Sequence, residues 1–357
     1  MTETPLQLLR QLIATPSISR EEKAAADIVE NYLVDAGIAT RRFRNNVWAI
    51  NRLFSPNLPT LLLNSHIDTV RPALSWTRDP HSPDIIDGRL YGLGSNDAGA
   101  SVVSLISLFC SNYERKLPYN LLLAVTAEEE VMGENGMRAF LPFIKEQGIN
   151  IDMAIVGEPT DMKPAIGERG LLVLDAVTHG ISGHAARDEG VNALYKAIGD
   201  INRLRNFRFP IESSTLGPVK ISVTQIEAGT QHNVVPDICR WVVDVRTTDV
   251  YDNEQTAEML NAAVESQLTP RSTRVWASLI DDSHPLRQAA EKASGAPYVS
   301  PTTSDMALMH DIPSLKIGPG HSSRSHTADE FILIDELECA PSIYQKILNN
   351  LSKTLWP

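Results

Sequence analysis

Leu61-Leu62-Leu63-Asn64-Ser65-His66-Ile67-Asp68-Thr69-Val70 is the stretch from which the rest of the chain is read. Three leucines giving way to small and polar residues make a buried strand whose end meets solvent. Period-two alternation sets His66 and Asp68 on one face. A histidine leaving a strand end can offer one ring nitrogen to a metal while a nearby carboxylate accepts from the other. Alone, His-x-Asp is equally the polar edge of an apolar strand, and its weight comes from the acids that follow.

Residues 120–126 form a second apolar strand, which runs into Ala127-Glu128-Glu129-Glu130. Three adjacent carboxylates repel one another unless solvent, protons or cations absorb the charge. A solvated acidic turn and a metal ligand beside a proton-transferring carboxylate are both open here. A third strand, 152–156, leads into Gly157-Glu158-Pro159-Thr160. Between these lies Tyr91-Gly92-Leu93-Gly94-Ser95-Asn96-Asp97-Ala98-Gly99-Ala100, whose glycines lack the order of a dinucleotide loop and are followed by no Gly-Lys-Ser/Thr. A phosphate cradle is therefore set aside. Asp97 instead precedes an apolar helical run containing Val102, Val103, Leu105, Ile106 and Phe109, where it serves as a cap or as a ligand. Thus His66, Asp97, one of the three glutamates and Glu158 all fall at strand-to-loop junctions, the place where open α/β sheets gather a ligand crevice.

The 357 residues suit two domains, and an apolar fraction of 43% supports real cores. With 44 acidic and 32 basic side chains the net charge is -12, which disfavours nucleic acid and anionic membrane as partners. Cys110, Cys239 and Cys339 are scattered, so neither a disulfide framework nor a thiolate zinc site is expected. No basic-then-apolar leader and no membrane-spanning run is read, and a cytoplasmic protein is expected.

In chain order, residues 3–14 read as a helix stopped near Pro16. A second helix starts at Ser19, with its hydroxyl as cap and Glu22 in the capping-box position, and ends at Gly37. The texture changes near Gly167-Glu168-Arg169-Gly170. Strands at 171–178, 219–227, 238–245 and 274–279, with a helix after Gly183-His184 and another over 254–267, give a small α+β sandwich. A helix at 285–293, a strand at 313–317 and a helix at 337–351 resume the first domain. The expected layout is 1–167 and 281–357 for an α/β catalytic domain with a mixed central sheet, and 168–280 for the insert.

Six pieces, in order, resemble the M20 family of co-catalytic metallopeptidases and amidohydrolases: Ser65-His66-Ile67-Asp68-Thr69-Val70, Tyr91 to Asp97, Thr126 to Glu130, Val156 to Thr160, Gly183-His184-Ala185-Ala186, and Ser325-His326-Thr327-Ala328-Asp329-Glu330. The resemblance implies two divalent metals bridged by Asp97, with His66 and Glu158 on one and Glu130 and His326 on the other. Zinc leads, with cobalt or manganese as substitutes. It implies Glu129 as the general base, Asp68 behind His66, and His184 of the insert as an oxyanion donor reaching the partner subunit of a homodimer. Asn233 and Arg246 are implied as substrate contacts. Three consecutive glutamates also permit a shifted reading with Glu128 as base and Glu129 as ligand. The family has a cis peptide after the bridging Asp, which is extended here to Asp97-Ala98. One departure is the Ala98-Gly99-Ala100 that follows this Asp, where many members place a bulky residue, Lys and Gly.

The resemblance implies hydrolysis of an N-acyl-L-amino acid, foremost N-acetyl- or N-succinyl-L-ornithine in arginine biosynthesis. Thr303-Ser304-Asp305 keeps succinyl-diaminopimelate desuccinylase as an alternative, beside a di- or aminopeptidase. A nonenzymatic metal-stabilised interaction protein is the alternative of a different class.

Overall fold

A computed structural model describes residues 4–187 and 189–355. It divides into two compact units, one of residues 1–167, 279–298 and 304–357, the other of residues 168–278 and 299–303.

The first unit is built on a mixed sheet in which strands lie in the order Thr40–Phe43, Asn46–Ile50, Asn120–Thr126, Thr60–His66, Met153–Val156, Ser314–Lys316, Ala165–Glu168. Thr60–His66 runs parallel to both neighbours, with His66 opposite Thr126 and Asn64 opposite Val156. All seven of its residues are buried, the three leucines in the cores and Asn64, Ser65 and His66 at the end that meets the site. Alternation divides the strands between two cores. Leu61, Leu63, Leu121, Leu123 and Val125 pack with Val102, Ile106 and Phe109 of the helix Ala100–Asn112 and with Ile347 and Leu348 of the helix Ile334–Leu355. Leu62, Leu122 and Ala124 pack on the other side with Phe140 and Ile144 of the helix Met137–Glu146. Both faces are covered, and the polar residues at the strand ends are left for chemistry. A short sheet of Ile85–Ile86, Arg89–Tyr91 and Phe331–Leu333 completes the unit.

The second unit is a four-stranded antiparallel sheet in the order Lys220–Ala228, Ile238–Thr247, Gly170–His179, Gln267–Pro270. The helices Ala193–Asn206 and Asn253–Ala262 complete its core of Leu172, Leu174, Ala197, Leu204, Trp241, Val243 and Leu260.

Several local expectations need correction. The helix expected from Ser19 begins at Lys23, and Glu22 at its cap makes no side-chain capping bond. Ser19 donates instead to Asp68 Oδ2 at 2.7 Å. The helix expected over 254–267 stops at Ala262, and the fourth strand of this sheet is Gln267–Pro270 rather than 274–279. The helix expected after Gly183–His184 begins only at Ala193, and Gly183–His184 itself forms a two-residue strand against Val234–Val235. The expected 3–14 helix is Pro5–Ile13, capped by Thr4 and Gln7, and residue 3 lies outside the described residues.

Candidate active site

His66 ends its strand buried at 1% exposure, with Nδ1 3.0 Å from the carbonyl of Asp68 and 3.5 Å from Asp68 Oδ1. The backbone contact orients the ring, so Nε2 faces Asp97 Oδ1 at 3.3 Å, Glu158 Oε1 at 3.7 Å and Glu129 Oε2 at 3.8 Å. Glu158 follows the Met153–Val156 strand. Its turn is held by Gly157 N donating to the Asn64 carbonyl at 2.7 Å and by Ser65 Oγ donating to the Gly157 carbonyl at 2.8 Å.

Asp97 sits in the loop between Arg89–Tyr91 and the helix Ala100–Asn112, and its peptide bond to Ala98 is cis. Gly94, at φ +76°, turns this loop, and a Cβ there would come within 2.7 Å of Thr69. Glu330, 2% exposed, accepts from the backbone N–H of Gly94, Asn96 and Asp97 at 3.1, 2.8 and 2.9 Å. In the sequence Glu330 closes a motif without a role of its own. It is the second of two adjacent acids after Thr327, and nothing in the pair marks which one reaches back to the loop.

The three glutamates after the Asn120–Thr126 strand separate by direction. Glu128, at φ +59°, turns its carboxylate back to Asn135, accepting from N at 3.1 Å and Nδ2 at 2.6 Å. A Cβ on Gly133 would run into that carboxylate, so this position needs glycine. Glu129 N and Glu130 N donate to Asp68 Oδ1 and Oδ2 at 3.0 and 3.1 Å. Glu129 then faces His66, and Glu130 lies 2.9 Å from His326 Nε2. His326 Nε2 is also 3.7 Å from Asp97 Oδ2.

Seven of the ten expected site residues therefore meet in the first unit: His66, Asp68, Asp97, Glu129, Glu130, Glu158 and His326. The other three belong to the second unit. His184 and Asn233 are exposed neighbours there, with Ala185 N donating to the Asn233 carbonyl at 3.0 Å and His184 Nδ1 accepting from Ala186 N at 3.1 Å. Arg246 is elsewhere on that sheet, forked onto Asp244 at 2.8 and 3.1 Å.

Two overlapping groups, His66-Asp97-Glu130 and His66-Glu129-Glu158, each bring their donor atoms within 4.8 Å of one another, as a dinuclear metal-binding site requires. Two observations fit cations there. His66 Nε2 is buried and has no hydrogen-bond partner, and such an atom is costly unless something ligates it. Charge is also out of balance. Burial and Asp97 push the Glu158 carboxyl up to about 8 against the pull of His66 and Lys316. Burial drives Glu129 well above the carboxylate range, with Glu158, Asp305 and Glu130 adding to it. The hydrogen bond to Glu130 lifts His326 to about 9. Burial opposes protonation of His66, yet Glu129, Asp68, Asp97 and Glu158 together hold its imidazole well above the usual value. Carboxylates that crowd until they retain protons are what divalent ions relieve. The donor set of imidazole and carboxylate, without thiolate, suits zinc, cobalt or manganese.

Comparison with known proteins agrees with this geometry. The chain is 27% identical over 374 residues to a succinyl-diaminopimelate desuccinylase of Wolbachia pipientis subsp. Culex pipiens, covering 97% of this chain and 93% of that protein. Among solved structures it superposes on a tripeptidase from Staphylococcus aureus with a TM-score of 0.79 at 19% identity, covering 99% of each chain. It also superposes on the Bacillus subtilis YXEP protein, described as a dinuclear metal-binding peptidase of the M20 family, with a TM-score of 0.73 at 18% identity and 98% of each chain. No described helix is long and apolar enough to cross a membrane. The sequence model of peptidase family M20/M25/M40 matches residues 62–350, most of the chain, and with the clustered acids and imidazoles this makes the protein a metal-dependent amide hydrolase that belongs to that family.

Proposed function

We propose that the chain removes the acyl group of an N-acyl amino acid, with N-succinyl-diaminopimelate as the leading substrate and N-acetyl- or N-succinyl-ornithine second. The observation that carries the hydrolytic part is the posture of Asp97. Its two oxygens turn to two different imidazoles, Oδ1 to His66 at 3.3 Å and Oδ2 to His326 at 3.7 Å. Glu158 accompanies the first imidazole and Glu130 the second, so His66 and Glu158 would hold one cation, Glu130 and His326 a second, and Asp97 would serve both. When bound, divalent cations, zinc foremost, supply Lewis acidity to a carbonyl and lower the pKa of water.

The remaining chemistry belongs to side chains. Glu129 accepts the proton of the attacking water and returns it to the departing amine. Asp68, by gripping the Glu129 and Glu130 amides, fixes where that carboxylate sits. Burial at 8% exposure drives the Glu129 carboxyl well above the ordinary carboxylate range, which suits it to take up a proton. Glu128, tied to Asn135, is a poor base in this arrangement, which favours the Glu129 register.

Substrate order rests on two unequal supports. The motif set resembles ornithine deacylases, whereas the desuccinylase relative matches over 97% of the chain. Arg246 is a weaker candidate for the substrate contact, because its guanidinium is already forked onto Asp244. We further propose a homodimer formed by second units, with His184 supplied in trans. Lys220–Ala228 is an edge strand, and Ile226 on it and Tyr195 and Ile198 on the helix Ala193–Asn206 are exposed, features that suit a second copy.

Steady-state assays of the metal-loaded chain on N-succinyl-L,L-diaminopimelate, N-succinylornithine, N-acetylornithine and a tripeptide, under zinc, cobalt and manganese, test the reading. The highest kcat/KM is expected for the first. Efficient cleavage of the tripeptide with no turnover of any acyl amino acid would overturn it.

A further inference from the structure

We infer that Ser19 is a positioning residue for the proton-transferring carboxylate, acting through Asp68; the inference rests on the hydrolytic reading above. Residues 17–19 run beside Thr69, just beyond the end of the central strand Thr60–His66. Thr69 N donates to the Ser17 carbonyl at 2.9 Å and Ser19 N to the Thr69 carbonyl at 3.2 Å, with Ile18 bridged to Thr69. This backbone pairing carries the Ser19 hydroxyl to Asp68 Oδ2, 2.7 Å away, across 49 residues of sequence.

Asp68 is fully buried; besides His66 Nδ1 on its own segment, 3.5 Å from Oδ1, its carboxylate is gripped by donors from two other chain segments. The Glu129 and Glu130 amides take one oxygen each, from the turn after the Asn120–Thr126 strand. Ser19 adds the donor from the N-terminal segment, on the oxygen that also serves Glu130. Two donors from a single turn let the carboxylate pivot with that turn. A third donor from a separate segment fixes its plane against the rest of the unit. The direction of Glu129 follows, because its backbone N–H hangs on that carboxylate. Removing the Ser19 oxygen leaves a buried anion one donor short while touching neither Glu129 nor any expected metal ligand.

The test compares Ser19→Ala and Ser19→Thr in the full chain, alone and combined with Asp68→Asn, using zinc-loaded protein and the best substrate of the parallel assay. Ser19→Ala is expected to lower kcat about 10-fold with KM within about 2-fold, and Ser19→Thr, which keeps the hydroxyl, to restore it. In the Asp68→Asn background the alanine is expected to add no further loss, as two residues on one path require. A wild-type kcat in Ser19→Ala overturns the inference, as does an equal loss in the Asp68→Asn background or a folded Ser19→Thr no better than alanine. Amide hydrogen exchange reads the same contacts without any need for turnover. Ser19→Ala is expected to speed exchange at Glu129 and Glu130 about 10-fold, a change of the size a lost charged hydrogen bond brings. Unchanged exchange there overturns the inference, whereas faster exchange in a chain that hydrolyses no substrate supports it and sinks the hydrolytic reading alone.

Discussion

At the scale of single residues, the chemistry turns on which of three adjacent glutamates faces which way. The family resemblance favours Glu129 and permits a shift to Glu128, but as residues the three glutamates are equals, and composition cannot rank them. Backbone conformation does: Glu128 in the left-handed region turns to Asn135, while the next two amides fall onto Asp68. Glu129→Gln keeps the shape and the N–H donation to Asp68 but removes the proton acceptor. The variant is expected to fold and bind zinc as the wild type does, with kcat lower by about 100-fold or more. Zinc stoichiometry and steady-state rates check this, and unchanged turnover would remove Glu129 from its role. The histidine and the acids at the strand ends are legible because apolar strands ending in polar residues announce themselves. Ser19 is not, since a serine three residues before a glutamate satisfies a capping pattern, and only the fold brings it against Asp68.

At the scale of elements, long buried strands are the clearest part of the sequence, and the short or interrupted pieces are the least clear. Asn120–Thr126 falls where the apolar run puts it. The helix Met137–Glu146 contains Pro142, which disguises its period, and Gln267–Pro270 is a four-residue edge strand with a single buried side chain, Leu268. The segment after His326 shows what such irregular pieces do. Asp329 accepts from Thr77 N, Thr77 Oγ1 and Arg78 N, and Glu330 clasps the 94–97 loop, so this short piece ties down two other segments. Glu330→Gln places an amide N–H₂ against backbone donors and is expected to cost about 1–3 kcal/mol of stability in urea unfolding, with weaker zinc binding by the loop it released. Full stability would show that the clasp carries no energy.

Asp200 plays the corresponding part in the second unit. It is 1% exposed and accepts from Glu265 N, Ser266 N, Ser266 Oγ and Arg203 Nη1. Burial works against its ionisation, but the Ser266 and Glu265 donors and Arg203 outweigh it and hold the carboxyl below its ordinary value. A depressed folded value means that the stabilisation is complete above the unfolded pKa and fades as pH falls through the folded one. That window lies below about pH 4. Asp200→Asn is therefore expected to speed amide exchange at Glu265 and Ser266 at pH 6, with the gap to wild type closing as both are acidified. A gap that persists to the lowest pH would mean that the charge is not what holds the segment.

At the scale of the whole molecule, one unit holds the clustered acids and imidazoles, and the other holds His184 and Asn233 on an exposed pair of short strands. An exposed histidine whose Nδ1 accepts from Ala186 N has Nε2 carrying its proton when neutral, and so has a donor to offer. The proposed dimer gives that donor an acceptor: the carbonyl oxygen of a substrate held by the other copy. In such a dimer His184→Ala and Glu129→Gln each disable a copy in a different place, and mixing them rebuilds one complete site per heterodimer out of two. Each homodimeric variant is expected to show about 1% of wild-type turnover or less, on the scale of losing one oxyanion donor or one general base. Heterodimers purified through two different tags are expected to recover a large fraction of half the wild-type rate. Verified heterodimers as inactive as either parent would place His184 outside the partner's chemistry. Monomeric protein at assay concentrations with full activity would remove the need for a second copy.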